Sequence, residues 1–477
     1  MLAMRVPPLS SGLYTDFYEL TMAQGYYVLG MQDTPAVFDL YFRTCPFNGA
    51  YAVAAGIAEA VEAVLQLCFS DDECSYLSDL GFRPDFLSYL KNFKFTGDLD
   101  GCREGEIVFP GTCLLRVSAP LIQAQLLESM LLNIVNFQTL IATKALRTVY
   151  AAQGKPVVDF GLRRAQGQAS LAATRAAFIG GVIGTSNTYA ARYYGIPAVG
   201  THAHSWVQSF DTEYEALSAY ARLYPDAPTL LIDTYDTLRC GLPAALRVAH
   251  ELQSSGKMLR AVRIDSGDIL NISKQVRSQL DAAGLFSVKI VASDQLDEYR
   301  IAHLLEHKAP IDLFGVGTKL ICAYDQPALD GVYKLAECKG RPRLKCSDDP
   351  SKVNNPGRKK TARYYSSGGD CYCDVLMLDD EDPDEISCVH WVHHPESVTP
   401  LQQPLEYDLL TIPLVRDGKQ VFTFPTLKEM QEYARERFSH LPAPHKCLID
   451  PVPYPIGLSE RLYHVKQSLI QQVNCNA

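Results

Sequence analysis

The feature that most constrains this chain is a series of six short apolar runs in its middle, each ending in polar, charged or glycine residues. They are Val157-Val158-Asp159-Phe160, Ala198-Val199-Gly200-Thr201, Leu230-Leu231-Ile232-Asp233, Ala261-Val262-Arg263-Ile264-Asp265, Lys289-Ile290-Val291-Ala292-Ser293 and Asp312-Leu313-Phe314-Gly315-Val316-Gly317. Helix-like stretches separate them, at intervals of about two to four dozen residues, which suits repeated βα units. Six units exceed one half of a doubly wound sheet, so the expected architecture is an irregular, incomplete α/β barrel. In such a barrel the residues just past each strand converge at one end. Here those residues are Arg163 and Arg164, His202 and His204, Asp233, Asp265 with Ser266, Asp294, and Thr318.

The flanks read differently. A chain of 477 residues is too long for one ordinary core, and its pattern divides it into three. Residues 1–145 form an expected α/β N-terminal domain. Residues 146–340 form the barrel. Residues 341–477 form a C-terminal extension, part of it packing on the N-terminal domain. Val37 to Phe42 alternates and is aromatic, as a strand would be. Ala54 to Leu67, Pro84 to Phe93 and Leu427 to Arg437 have helical periodicity. Pro110-Gly111 is a turn between the strands at Ile107–Phe109 and Leu114–Val117, and Leu121 to Leu146 reads as one long helix.

A formal net charge of -10 without long like-charged runs argues against a nucleic-acid partner. Fourteen scattered cysteines, several inside apolar runs, suit reduced thiols better than a disulfide framework. MLAMRVPPLS carries no apolar core of signal-peptide length, and the apolar stretch around Met130 to Val135 is too short to span a bilayer. A cytoplasmic protein with no membrane partner is expected.

Arg263-Ile264-Asp265-Ser266-Gly267-Asp268 sets a cation, acids, a hydroxyl and a bare backbone amide after an apolar strand. Arg forks onto anions, Asp accepts from paired ribose hydroxyls, and Gly lets backbone approach a phosphate. The alternative is a helix N-cap. Gly315-Val316-Gly317-Thr318 is a second strand end able to turn amides toward a phosphate. Thr201-His202-Ala203-His204-Ser205 sets two imidazoles two residues apart, with no third metal ligand indicated, so metal-holding residues stay open. Phe160-Gly161-Leu162-Arg163-Arg164 offers adjacent guanidiniums or a solvated cationic turn. Tyr14 to Met22 reads as a Thr-capped helix start whose aromatic residues are ordinary core. Cys371-Tyr372-Cys373 lacks zinc-knuckle spacing.

Taken in order, these motifs resemble the nicotinate phosphoribosyltransferase family. The resemblance runs through Thr15-Asp16-Phe17-Tyr18-Glu19-Leu20-Thr21-Met22, Glu106-Ile107-Val108-Phe109-Pro110-Gly111, Phe160 to Gly167, Gly200 to Ser205, Leu231 to Tyr235, Arg263 to Asp268 and Gly315 to Thr318. It continues in Gly331-Val332-Tyr333-Lys334-Leu335 and Asn355-Pro356-Gly357-Arg358-Lys359-Lys360. The resemblance implies an α/β N-terminal domain, an irregular barrel, a C-terminal extension, and a head-to-tail homodimer with shared sites. It implies transfer of ribose phosphate from phosphoribosyl pyrophosphate to nicotinate with Mg²⁺, coupled to ATP hydrolysis through a phosphohistidine that matches His204.

The roles it carries over are specific. Asp265 holds the ribose hydroxyls, and Arg263 pairs with the substrate. Gly315, Gly317 and Thr318 bind the 5′-phosphate. Phe160 and the partner subunit's Tyr18 sandwich the pyridine ring, with Thr201 beside it. Arg163, Asp233, Ser266 and Gly267 complete the expected substrate site. Ser186 matches the position where nicotinamide-using relatives carry an Asp that accepts from the amide; a carboxylate there would repel nicotinate. Competing expectations are a nicotinamide or quinolinate phosphoribosyltransferase. A barrel lyase acting on a sugar phosphate would need a strand-end Schiff-base lysine, which these runs lack.

Overall fold

Five of the six apolar runs become strands of one parallel sheet. In the computed structural model, which describes residues 9–226, 228–347, 352–392, 397–401 and 405–476, these are β1 (Val157–Asp159), β2 (Thr229–Leu231), β3 (Ala261–Ile264), β4 (Lys289–Ala292) and β5 (Leu313–Val316). Their order is β1-β5-β4-β3-β2, with every neighbouring pair parallel. Both faces of such a sheet are covered, which is why its strands are runs of Val, Ile and Leu rather than alternating. Leu230, Ile232, Val262, Ile264 and Ile290 pack with Val248 and Leu252 of helix Leu242–Ser254 and Val276 and Leu280 of helix Ile269–Ala282.

The sixth run, Ala198–Thr201, forms no strand of its own. Single parallel bridges join Asp159 to Thr185 and Thr185 to Ala198, continuing the sheet past β1. Among the described residues no ladder links that segment to β2. The sheet is therefore open, and the expected barrel is not closed. Across the gap one bond is made by a side chain: the Leu231 N–H donates to His202 Nε2 over 3.1 Å.

This sheet belongs to a compact unit of Ile141–Pro327; a second unit combines Met1–Leu140 with Ala328–Ala477. Gly331–Cys338, grouped by pattern with the middle region, instead pairs antiparallel with Pro35–Phe42 in the second unit. Residues after 340 add strands to the same unit, where Ile412–Arg416 pairs with Asp98–Gly101. A six-stranded sheet there holds Lys359–Tyr365, Cys371–Leu378 and Ile456–Ser459. Buried ion clusters tie distant segments of this unit together. Asp39 meets Arg116 at 2.8 Å and Lys359 at 2.6 Å, and Arg363 joins Glu106 to Asp374.

Local expectations shift by a few residues. The helix after the N-terminal motif is Phe17–Val28 with Asp16 at its N-cap, so Thr15 is not the cap. Ile57–Gln66 and Pro84–Lys91 are helices. Leu427–Ser439 starts with a capping box between Thr426 and Glu429. The long helix divides into Leu121–Gln125 and Glu128–Ala151. Together these are long and apolar enough to cross a membrane, more than the sequence reading allowed, but 67% of the apolar window is buried inside the protein, as a core helix is. The described cysteines are free thiols.

Candidate active site

The strand ends of the parallel sheet bring most of the singled-out residues into one hydrogen-bonded cluster, and Asp233, two residues past β2, is its hub. Its side chain is 2% exposed, and a carboxylate so placed needs several donors. Oδ1 lies 3.3 Å from His204 Nε2. Oδ2 accepts from the Asp265 N–H at 2.9 Å and the Ser266 hydroxyl at 2.7 Å. One carboxylate thus fixes both the imidazole after the Ala198 segment and the turn after β3.

Arg263, on β3, is the second organiser. Its Nε donates to Ser293 Oγ at 2.9 Å, Nη1 to Thr201 Oγ1 at 3.1 Å, and Nη2 meets Asp265 Oδ1 at 2.9 Å. The Ser293 hydroxyl in turn donates to Asp265. The guanidinium carbon lies 5.1 Å from the centre of the Phe160 ring, close enough for cation–π attraction. Thr201, Arg263, Asp265 and Phe160 are all partly exposed, so the cluster has an open side.

Phe160 owes its place to β5. A Cβ added to Gly315 would lie 2.3 Å from Phe160 Cε2, so any larger residue would displace the ring. The Phe160 N–H donates to the Val316 carbonyl at 2.8 Å. Gly317 follows β5, where an added Cβ would lie 3.3 Å from the Phe160 carbonyl oxygen, and Thr318 opens a single helical turn, Thr318–Ile321. Gly267 has φ +81°, a conformation that needs glycine; it follows Ser266 and precedes Asp268, which caps helix Ile269–Ala282 through the Asn271 N–H. Asp268 is thus the N-cap of the alternative reading, while Arg263, Asp265 and Ser266 belong to the hydrogen-bonded cluster.

Two residues with structural importance were not singled out. Asp159, buried at the end of β1, accepts from the Gly161 N–H at 2.7 Å and from the Thr174 and Thr185 hydroxyls at 3.1 and 2.7 Å. Burial pushes its carboxyl above the usual range despite those donors. It anchors the Phe160 turn, and its carbonyl accepts from the Ser186 N–H at 2.8 Å, placing Ser186 beside β1. Ser293 bridges Arg263 and Asp265. Both residues end apolar runs, so the strand-end rule that found Asp233 also contained them.

The two histidines diverge. His202 is buried, its ring 4.6 Å from that of Tyr220, with Nε2 committed to Leu231. Burial drives its pKa down to about 4, so it is neutral near pH 7. His204 is half-exposed, with its side chain 39% accessible. Arg163 and Arg164 are exposed on the turn after β1, and no described contact ties Arg163 to the cluster. Asp294 follows β4 with φ +88°, costly for a residue with a Cβ. Its carboxyl is pushed upward by burial and by Asp265 and Asp233, against the pull of Arg300. Tyr18 lies in the other unit, 45% exposed on helix Phe17–Val28; burial of its hydroxyl and neighbouring Glu128 raise its pKa.

A cluster of a forked cation, the carboxylates of Asp233 and Asp265, a half-exposed imidazole and an aromatic face suits an anionic ring substrate and a sugar with vicinal hydroxyls. Comparison with known proteins agrees in kind. Residues 13–136 match the nicotinate phosphoribosyltransferase N-terminal domain, 156–374 the nicotinate phosphoribosyltransferase family, and 358–466 the nicotinate phosphoribosyltransferase C-terminal domain. The chain is 43% identical over 454 residues to a nicotinate phosphoribosyltransferase of Mycobacterium tuberculosis, covering 94% of this chain and 92% of that one. It is 41% identical over 481 residues to that of Bacillus subtilis, covering 97% and 96%. The crystal structure of human nicotinic acid phosphoribosyltransferase superposes with a TM-score of 0.86 at 31% identity, covering 95% of this chain and 99% of that one.

Proposed function

The chain belongs to the nicotinate phosphoribosyltransferase family, and from that membership we propose that it joins nicotinate to C1 of the ribose in 5-phosphoribosyl 1-pyrophosphate. The pyridine nitrogen forms the new bond to C1 as the C1–pyrophosphate bond breaks, giving nicotinate mononucleotide and pyrophosphate. Positive charge grows on the ribose as pyrophosphate leaves, so positioning and electrostatics supply most of the rate. Asp265 accepts from the ribose hydroxyls. Arg263, with Thr201 beside it, meets the nicotinate carboxylate, and Phe160 lies against the ring. Gly315, Gly317, Thr318, Ser266 and Gly267 line the phosphate side, and Arg163, on the exposed turn after β1, is assigned to the substrate from the family resemblance. Asp265 and Asp294, whose charges repel, offer the oxygen donors a hard cation prefers; Mg²⁺ held there would neutralise the departing pyrophosphate.

The coupling to ATP rests on Asp233. With Nε2–H donating to Asp233, His204 keeps its lone pair on Nδ1. That nitrogen attacks the terminal phosphorus of ATP and releases ADP; water later takes the phosphoryl group as phosphate. Asp233 carries the proposal because the same carboxylate holds the Asp265–Ser266 turn, so a change in charge at His204 is felt where the ribose binds. Further parts of this reading are an incomplete barrel whose gap His202 spans, cytoplasmic location, and a homodimer in which Tyr18 of the partner subunit supplies the second aromatic face.

The test is pyrophosphate release measured side by side with nicotinate, nicotinamide and quinolinate. Nicotinate should be far the best substrate; a kcat/KM for nicotinamide or quinolinate comparable to that for nicotinate overturns the assignment. With γ-labelled ATP, acid-labile and base-stable label should appear in wild type and His202→Ala and be absent from His204→Ala, which should keep a slower, ATP-independent transfer. Label persisting in His204→Ala would remove the phosphohistidine from this residue.

A further inference from the structure

The unit that carries the antiparallel sheets contains a cavity of about 540 Å³, large enough for a small organic ligand. It is lined by residues of that unit alone, and none of the strand-end residues of the parallel sheet contributes to it. Its lining includes Arg43, His390 and Lys466, and among the described residues no carboxylate. A second surface cavity, by contrast, is lined by Glu381, Glu385 and Glu460 together with Arg461 and His464.

The cations of the first cavity are incompletely used. Among the described residues Arg43 Nε is buried with no hydrogen-bond partner, and the guanidinium makes one ion pair there, a loose 3.8 Å contact with half-exposed Asp330. A buried donor left without a partner is destabilising, and a bound anion would satisfy it. Among the described residues Lys466 Nζ meets a single, neutral acceptor, Asn355 Oδ1, at 2.9 Å. Burial, with repulsion from Lys359, brings its pKa down to about 8, the behaviour of an ammonium lacking its counter-ion. Burial, with repulsion from His464, lowers the pKa of His390 as well, and among the described residues its buried Nδ1 has no partner.

The walls add a flat apolar surface. The His390 ring stacks on Tyr463 with centres 3.8 Å apart and planes 6° from parallel. Trp391 is pinned by its indole N–H donating to Thr399 Oγ1 at 2.8 Å. Such faces favour a planar ring, while the incompletely used guanidinium and ammonium favour a phosphate.

We propose that this cavity is a second small-molecule site, binding a nucleoside monophosphate with its phosphate between Arg43 and Lys466 and its base against the wall of His390, Trp391 and Tyr463. The juxtaposition of under-used donors, a described lining free of carboxylates and a stacked aromatic wall is what carries it, and it stands whether or not the strand-end cluster transfers ribose phosphate. Adenosine 5′-monophosphate is a suitable probe, because it is neither substrate nor product of the proposed reaction.

Titration calorimetry of the full chain should show adenosine monophosphate binding, with adenosine and inorganic phosphate each at least about tenfold weaker, since each keeps only half of the contacts. Lys466→Gln and Arg43→Gln should each weaken binding by about tenfold or more, the scale of one charge-assisted contact. Asp265→Ala should leave it unchanged. Basal transfer by Lys466→Gln should match wild type. Equal binding by Lys466→Gln and wild type, loss of binding in Asp265→Ala, phosphate binding as tightly as the nucleotide, or no heat at millimolar probe would each overturn the proposal. Should Arg43→Gln fail to fold, acylation of Lys466 in the wild-type protein at pH 8, mapped by mass spectrometry, must be slowed by the nucleotide; unslowed acylation overturns it equally.

Discussion

His202 and His204 are two residues apart and meet opposite fates, and the difference is burial and partner. His202 accepts a backbone N–H and is held neutral; His204 faces a carboxylate at a half-open position. The unfolded chain takes up a proton on His202 near pH 6.5, whereas the folded protein takes it up only near pH 4. Between those values the unfolded state binds more protons, so stability is full above pH 6.5 and is lost as pH falls toward 4. The loss amounts to about 3 kcal/mol. Thermal melts across that window should therefore fall less steeply for His202→Gln than for wild type, and parallel curves would show that His202 is not the titrating group. At Ser186, whose N–H is fixed to the Asp159 carbonyl, a carboxylate should repel nicotinate. Ser186→Asp is expected to move the ratio of kcat/KM toward nicotinamide; an unchanged ratio would place the discriminating residue elsewhere.

At the scale of elements, strands were legible wherever an apolar run was buried on both faces, as in Ala261–Ile264 and Lys289–Ala292. The run Ala198–Thr201 looked the same and forms only an isolated bridge, because a strand needs a partner across a ladder and local composition does not supply one. What a strand end does was less legible than where it lies. Asp159 and Ser293 sit at ends found by periodicity, yet their roles come from donors and acceptors on other elements. Gly315 shows the dependence most directly, since its missing Cβ is the space that Phe160 fills. Gly315→Ala should cost about 1–3 kcal/mol through overpacking and raise the KM for nicotinate more than it lowers kcat. A variant with wild-type KM would mean that the ring is not part of the substrate face.

At the scale of the whole molecule, Tyr18 and Asp265 lie in different compact units, and the shared-site proposal assigns them to different subunits within one site. Tyr18→Ala and Asp265→Ala chains, each inactive alone, should regain activity when mixed, because one hybrid site then carries neither lesion. Mixed dimers that form and stay inactive would remove the shared site.

The sequence by itself determined the local chemistry: five of the six strand runs, the residues that end them, and the order of motifs that identifies the family. Those properties depend on near neighbours and on side-chain type, so they are written along the chain. Only the tertiary structure decided that Asp233 joins His204 to the Asp265 turn, that Gly331–Cys338 leaves the middle region to pair with Pro35–Phe42, and that Arg363 binds Glu106 and Asp374. Each of these links residues tens to hundreds of positions apart. Ladder pairing and charge burial select such partners by the geometry of the folded chain, which no local period records.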